Sequence, residues 1–197
     1  MQPPGKTLDT FDLNRLPLAL GRKLRDLCSG HFLEEATNVL AFGLPGTGKS
    51  HAACALGQAG HAVLFVPTFQ LVQHLLAAKR DLDLPRALPK LDRYELLICD
   101  DIGNVKQSPD ESEVLFTLLA ERYERRSVLI TSNLVFSAWD KIFRNPMTTA
   151  AAIDRLVHHS VILELDVPSY RTEAHETAAT PTQDIPAVTH QRSRDAR

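Results

Sequence analysis

Long apolar runs are missing from this sequence. Nowhere do 18 apolar residues follow one another, and the N-terminal stretch MQPPGKTLDTFDL lacks the apolar core of a secretory signal. A membrane span and a cleaved leader are therefore not expected, and the chain reads as soluble and cytoplasmic, with no membrane contact. A charge bias is missing too. Lys and Arg number 22 against 24 Asp and Glu, for a formal net charge of -2 and a pI near 6.4. No global basic field draws such a chain onto nucleic acid, so any DNA contact must be local or made by a partner. Cysteine is scarce: Cys28, Cys54 and Cys99 are odd in number, show no metal-ligand spacing, and two fall inside apolar segments. A reducing, intracellular setting is the simplest reading. Internal repeats are absent.

What is present is enough apolar material for one substantial core, 44% of 197 residues. Residues 1–37 mix prolines, charges and short apolar stretches, and read as a partly irregular lead-in with one helix around Leu18 to Leu27. From Asn38 strand and helix alternate. Short β-rich runs at Val39–Phe42, Ala62–Val66, Leu96–Cys99, Val128–Thr131 and Val161–Leu165 predict an α/β unit over 38–171 with a parallel sheet. Boundary signals accompany them. Asp110 and Glu113 have capping-box spacing, Thr68 can cap the helix burying Val72, Leu75 and Leu76, and Gly60 ends the helix after the glycine loop. Pro85 and Pro89 predict a connecting loop. Residues 172–197 carry few large apolar side chains and read as a disordered tail.

The chemistry begins at Gly43-Leu44-Pro45-Gly46-Thr47-Gly48-Lys49-Ser50, which fills the whole Walker A pattern between an apolar strand and a helix. Gly43, Gly46 and Gly48 leave room for backbone N–H groups to converge on phosphate oxygens, with Pro45 and Thr47 completing the turn. The helix N-terminus adds partial positive charge, Lys49 reaches the β- and γ-phosphates of ATP, and the Ser50 hydroxyl can ligate Mg²⁺. A bare glycine turn with an exposed lysine would not need all eight positions.

About 50 residues later, Leu96-Leu97-Ile98-Cys99-Asp100-Asp101 is an apolar strand ending in two carboxylates. Asp100 is expected to hold Mg²⁺ through water, and Asp101 to orient or deprotonate the attacking water. Alone, the two acids could equally be loop acids or a helix cap. Asn133 closes the next strand, where ligands of open α/β sheets gather, and can reach the lytic water or the γ-phosphate; a turn-favouring asparagine is its plainer reading. A full strand between the two Walker strands and a second acid beside Asp100 favour the ATPase branch over nucleotide kinases and GTPases. Arg155 and Arg171 read, from spacing alone, as solvated surface charges. His158 and His159 lack a second pair of ligands at metal spacing, so a helix-end or surface role is expected of them.

The Walker A string, LLICDDIG, EVLFTLLAERYERRSVLITSN, and PMTTAAAIDRLVHHSVILEL followed by PSYR together resemble the IstB family of transposition helper ATPases, from about Lys6 to Arg171. That family is related to the DnaC helicase loaders and to DnaA. The resemblance implies a P-loop NTPase of the AAA+/ASCE type, a five-stranded parallel sheet flanked by helices, with ATP and Mg²⁺ as ligands. It also implies a homo-oligomer on DNA that stimulates or targets a transposase. Arg155 then matches the arginine finger reaching a neighbouring subunit, and Arg171 the sensor 2 arginine contacting nucleotide in its own. Three departures accompany the resemblance. The chain starts near where the family's small helical DNA-binding domain would end, so DNA binding is expected to be weak or oligomer-dependent. The helix after the glycine loop is about one turn short, which puts the second strand's edge in question. Asp101 stands where the wider AAA+ class more often has glutamate. A DnaC-like helicase loader and a truncated nucleotide-binding remnant without turnover are the competing readings.

Overall fold

A computed structural model of the chain describes residues 5–58, 62–104 and 108–170. Gly60, Arg171 and the 172–197 tail lie outside these residues, and with them the expectations placed there. Five strands, β1 (Asn38–Phe42), β2 (Val63–Pro67), β3 (Leu96–Asp100), β4 (Ser127–Ser132) and β5 (Ser160–Glu164), form one parallel sheet in the order β2-β3-β4-β1-β5. Each lies within a residue or two of its expected run. The three inner strands are covered on both faces, which is why they read as unbroken apolar stretches rather than alternating ones.

The two-residue period still sorts their side chains. Leu40, Phe42, Leu97, Cys99, Val128 and Ile130 face one core, and Val39, Ala41, Leu96, Ile98 and Leu129 face the other. The first core is closed by α4 (Thr68–Arg80), α5 (Leu84–Leu91), α6 (Pro109–Arg122), α7 (Asp140–Phe143) and α8 (Pro146–Val157). The second is closed by α1 (Leu18–Leu27), α2 (His31–Glu34) and α3 (Lys49–Leu56). The lead-in is therefore part of the packing: Phe11, Leu16, Leu24, Leu27 and Phe32 are all buried on this face. α1 spans the residues expected of it. β2 is paired along its whole length with β3, Val63 opposite Leu96 through Pro67 opposite Asp100.

Three local expectations are corrected. The capping box of α6 is Ser108 with Glu111, not Asp110 with Glu113. Pro109 takes the first helical position, where its missing N–H is no loss, and so sets the start two residues earlier. Asp110 and Glu113 instead both pair with Lys79, at 3.0 and 2.8 Å. Thr68 does not cap α4; it is the first residue of that helix, and its hydroxyl donates to the Asp100 carbonyl at 2.9 Å. Pro85 and Pro89 lie within α5 rather than in a loop. Pro85 sits in the first turn, and Pro89 forgoes one backbone bond in a helix whose Ala87, Leu88 and Leu91 are buried against the first core.

One charged group is built into the start edge of the sheet. Arg122 is 1% exposed, and its guanidinium donates to the carbonyls of Leu91 (2.9 Å), Tyr94 (3.0 Å) and Ser127 (3.0 Å). It thereby ties the end of α5 and the turn before β3 to the start of β4. Burial pushes its pKa down to about 10, against the opposing pull of Cys99 and Asp92, so it stays charged at neutral pH. Arg122→Ala strands these carbonyls and should cost about 3–5 kcal/mol of stability in denaturant unfolding. Arg122→Lys should recover only part of it, because a single ammonium cannot span the same acceptors.

Candidate nucleotide-binding site

The parallel strands β1, β3 and β4 bring their C-terminal ends to one edge, and the glycine loop leaves β1 there. Gly46 and Gly48 adopt left-handed φ of +86° and +95°. Each is also tightly approached. A Cβ on Gly46 would lie 3.0 Å from the Ser169 Cβ and collide with its hydroxyl, and one on Gly48 would lie 3.1 Å from the Phe11 ring. Glycine is required at both positions by conformation and by space. Pro45 stands exposed at the tip, while Thr47 is buried and donates to the Leu44 carbonyl at 2.9 Å. The Lys49 ammonium folds into the loop and donates to the carbonyls of Gly43 (2.7 Å) and Leu44 (2.8 Å).

Opposite Lys49, β3 delivers its acids. The Ser50 hydroxyl lies 2.8 and 3.0 Å from the two Asp100 carboxylate oxygens. A serine hydroxyl beside a carboxylate is a hard oxygen donor set, which suits Mg²⁺ and not a softer ion. Thr131, on the neighbouring β4, locks this pair from behind. Its hydroxyl donates to Asp100 Oδ1 and accepts from the Asp101 backbone N–H, both at 2.7 Å. Asp101 follows the strand with φ +59°, a backbone region that aspartate and asparagine enter more readily than most residues. Burial raises the pKa of Asp101, the neighbouring Asp100 charge raises it further, and Lys49 pulls the other way. Asn133, just past β4, packs against the turn after Asp101: a Cβ on Gly103 would strike the Asn133 amide oxygen.

The structure thus gathers Gly43, Pro45, Gly46, Thr47, Gly48, Lys49, Ser50, Asp100, Asp101 and Asn133 at one sheet edge. Arg155 is elsewhere. It lies in the last turn of α8, which feeds the start of β5, and its guanidinium sits 4.8 Å over the Phe116 ring and 3.3 Å from the Ala151 carbonyl. Several site residues escape reading in sequence. Thr131 and Thr68 grip Asp100 from neighbouring elements, and only the string Thr131-Ser132-Asn133 hinted at the first. His51 ties the lead-in to the loop: its Nε2 donates to the Thr7 carbonyl at 2.9 Å, and its ring meets Phe11 edge-on at 5.0 Å. Tyr170 closes from the far end, its N–H donating to the Gly46 carbonyl at 3.0 Å under the Arg15 guanidinium. Lys6, Gly46, Lys49, Ser50, His51 and Tyr170 line a cavity of about 290 Å³ beside the loop.

A family model described as IstB-like ATP binding protein matches residues 1–178. An insertion-sequence ATP-binding protein of Sinorhizobium fredii, so named, is 46% identical over 174 residues, 86% of this chain and 58% of its own length. One named for insertion sequence IS21 in Pseudomonas aeruginosa is 37% identical, covering 93% of this chain and 71% of its own. The chain thus spans little more than half of the first relative. Among solved structures, the DnaC helicase loader superposes with a TM-score of 0.66 at 18% identity over 82% of this chain and 97% of its own. AMPPCP-bound DnaA from Aquifex aeolicus superposes with 0.66 at 15% identity, over 93% and 58%. At such identities the likeness is one of fold, that of the AAA+ P-loop ATPases.

Proposed function

Since this chain belongs to the IstB-like family of ATP-binding proteins, we propose that it hydrolyses ATP as a switchable helper of DNA transposition. In this reading residues 38–171 are the nucleotide unit, working in the cytoplasm as a homo-oligomer that assembles on DNA and stimulates or targets a transposase. The relatives' insertion-sequence names support the transposition setting, and a DnaA solved with AMPPCP and single-stranded DNA supports a fold able to hold both ligands. No helix among the described residues is long and apolar enough to cross a membrane.

The observation that carries hydrolysis, beyond binding, is the second carboxylate. Asp101 stands next to the Ser50–Asp100 pair, with its pKa raised toward that of a proton acceptor. Mg²⁺, when bound, neutralises charge on the β- and γ-phosphate oxygens. Ser50 and Asp100 would hold the ion, and Lys49 would exchange its two loop carbonyls for phosphate oxygens. Asp101 would take the proton from the attacking water and Asn133 would fix that water's direction. Arg155, supplied by a neighbouring copy, and Arg171, from the same copy, would complete the charge stabilisation.

The test is ATP turnover by the full chain from dilute to concentrated protein, with and without duplex DNA, in Mg²⁺ or in EDTA. Turnover per chain should rise with concentration and with DNA, and vanish in EDTA. Background turnover under every condition would reduce the protein to a nucleotide binder.

A further inference from the structure

On the opposite edge of the sheet from the glycine loop, α6 and α8 end at the same place. Tyr123 caps the C-terminus of α6 and His158 that of α8, so the negative ends of two helices meet there, an arrangement that favours a cation. Directly after Tyr123 the backbone of Glu124 turns into the left-handed region at φ +56°, a conformation that costs a residue with a Cβ and that aims its carboxylate at the end of α8. His159 follows His158, their rings 4.4 Å apart at 68°.

We propose that Glu124, His158 and His159 form a binding site for a transition-metal dication, with Zn²⁺ the best-matched ion. Adjacent histidines lack the sequence spacing of a ligand pair, and the third ligand comes from a helix end 34 residues away, which only the fold brings close. One donor atom from each of the three residues lies within 4.8 Å of the other two. Donors around a tetrahedral Zn²⁺ stand about 3.3–3.5 Å apart. The 3.5 Å between His158 Nδ1 and Glu124 Oε1 already has that spacing. Two imidazoles and one carboxylate are a borderline donor set, suited to Zn²⁺ and poorly suited to Mg²⁺. His158 and Glu124 are 52% and 54% exposed, so an ion from solvent reaches them without rearranging the core. The Tyr123 hydroxyl lies 2.9 Å from the same Nδ1, so a bound ion would replace that hydrogen bond and leave the hydroxyl beside the fourth position, where a water could accept it.

Zinc titration of the full chain by calorimetry tests this, run in saturating Mg²⁺ to mask Ser50 and Asp100 and on a Cys28→Ser background to remove the half-buried thiol. One Zn²⁺ per chain should bind at the site, and His158→Ala or His159→Ala should each weaken it about tenfold or more, with Glu124→Gln weakening it as well. All three side chains are exposed, so circular dichroism should show these variants folded like the parent. Zinc uptake that is absent in the parent, or unchanged in the His158→Ala/His159→Ala double variant, would overturn the site. Neither outcome depends on whether the chain hydrolyses ATP.

Discussion

Arg155→Ala is expected to lower ATP turnover of the assembled protein by about 10³–10⁵, the range an arginine finger supplies, while ATP binding stays near the parent value. The reason is positional. α8 delivers Arg155 to the start of β5, whereas the glycine loop leaves the end of β1, the strand that pairs with β5 in parallel. β5 spans five residues, about 16 Å of strand, and that separation exceeds the reach of an extended arginine. Arg155 therefore cannot serve its own copy's phosphates, and any catalytic role must be played toward a neighbour. A mixing experiment isolates that role. Arg155→Ala keeps an intact loop but offers no finger, and Lys49→Ala offers a finger but loses the phosphate contact. Each alone should be nearly inactive, and the mixture should regain measurable turnover at sites that pair one chain's loop with the other's arginine. If the mixture assembles, as judged by its size in solution, and stays inactive, the finger assignment is wrong.

Asp101→Asn should cost about 10²–10⁴ in turnover, the usual contribution of a positioned proton acceptor, and at the same time raise thermal stability. The stability gain follows from the direction of the pKa shift. The folded state raises the Asp101 pKa through burial and the Asp100 charge, so it favours the protonated form. The cost of ionising it therefore appears as pH climbs past the ordinary aspartate range, and is fully present above the raised value. Asparagine removes that cost at neutral pH and accepts the +59° φ at least as well. Hydrolysis by the parent should correspondingly show an acid limb displaced above the usual carboxylate range. Turnover at the parent level in Asp101→Asn would remove Asp101 from the reaction. A variant less stable than the parent would instead assign Asp101 a structural partner worth more than its charge costs.

The parts of the site that were legible in sequence are those carried by a single run of residues. Gly43 to Ser50 and the strand ending in Asp100 and Asp101 each announce their chemistry locally, and the apolar runs of β1, β3 and β4 announce their burial. The parts that were not legible depend on neighbours across the sheet. Thr131 looks like any β-branched strand residue until β3 and β4 are paired, and Thr68 looks like a helix cap until β2 places it beside Asp100. The start of α6 was ambiguous because serine and aspartate are comparable caps, and Pro109 decided between Ser108 and Asp110. α5 was missed because proline is a strong local stop, yet burial of Leu88 and Leu91 outweighs one absent backbone bond. Glu124 met His158 and His159 only through the convergence of two helix ends.

The sheet order also governs when this site can come into being. Of the five strands in the sheet β1 is made first and lies between β4 and β5, the two made last, and the Phe42 carbonyl awaits the N–H of Leu165. About 120 residues separate these partners, roughly 6–25 s of synthesis at ordinary elongation rates. Until β4 is made a nascent chain exposes the glycine loop on an unpaired strand that is apolar from Val39 to Phe42, and until β5 is made that strand keeps one open edge. Nucleotide recognition thus waits on the last strand of the sheet, and a ribosome stalled before β5 carries the motif without the site.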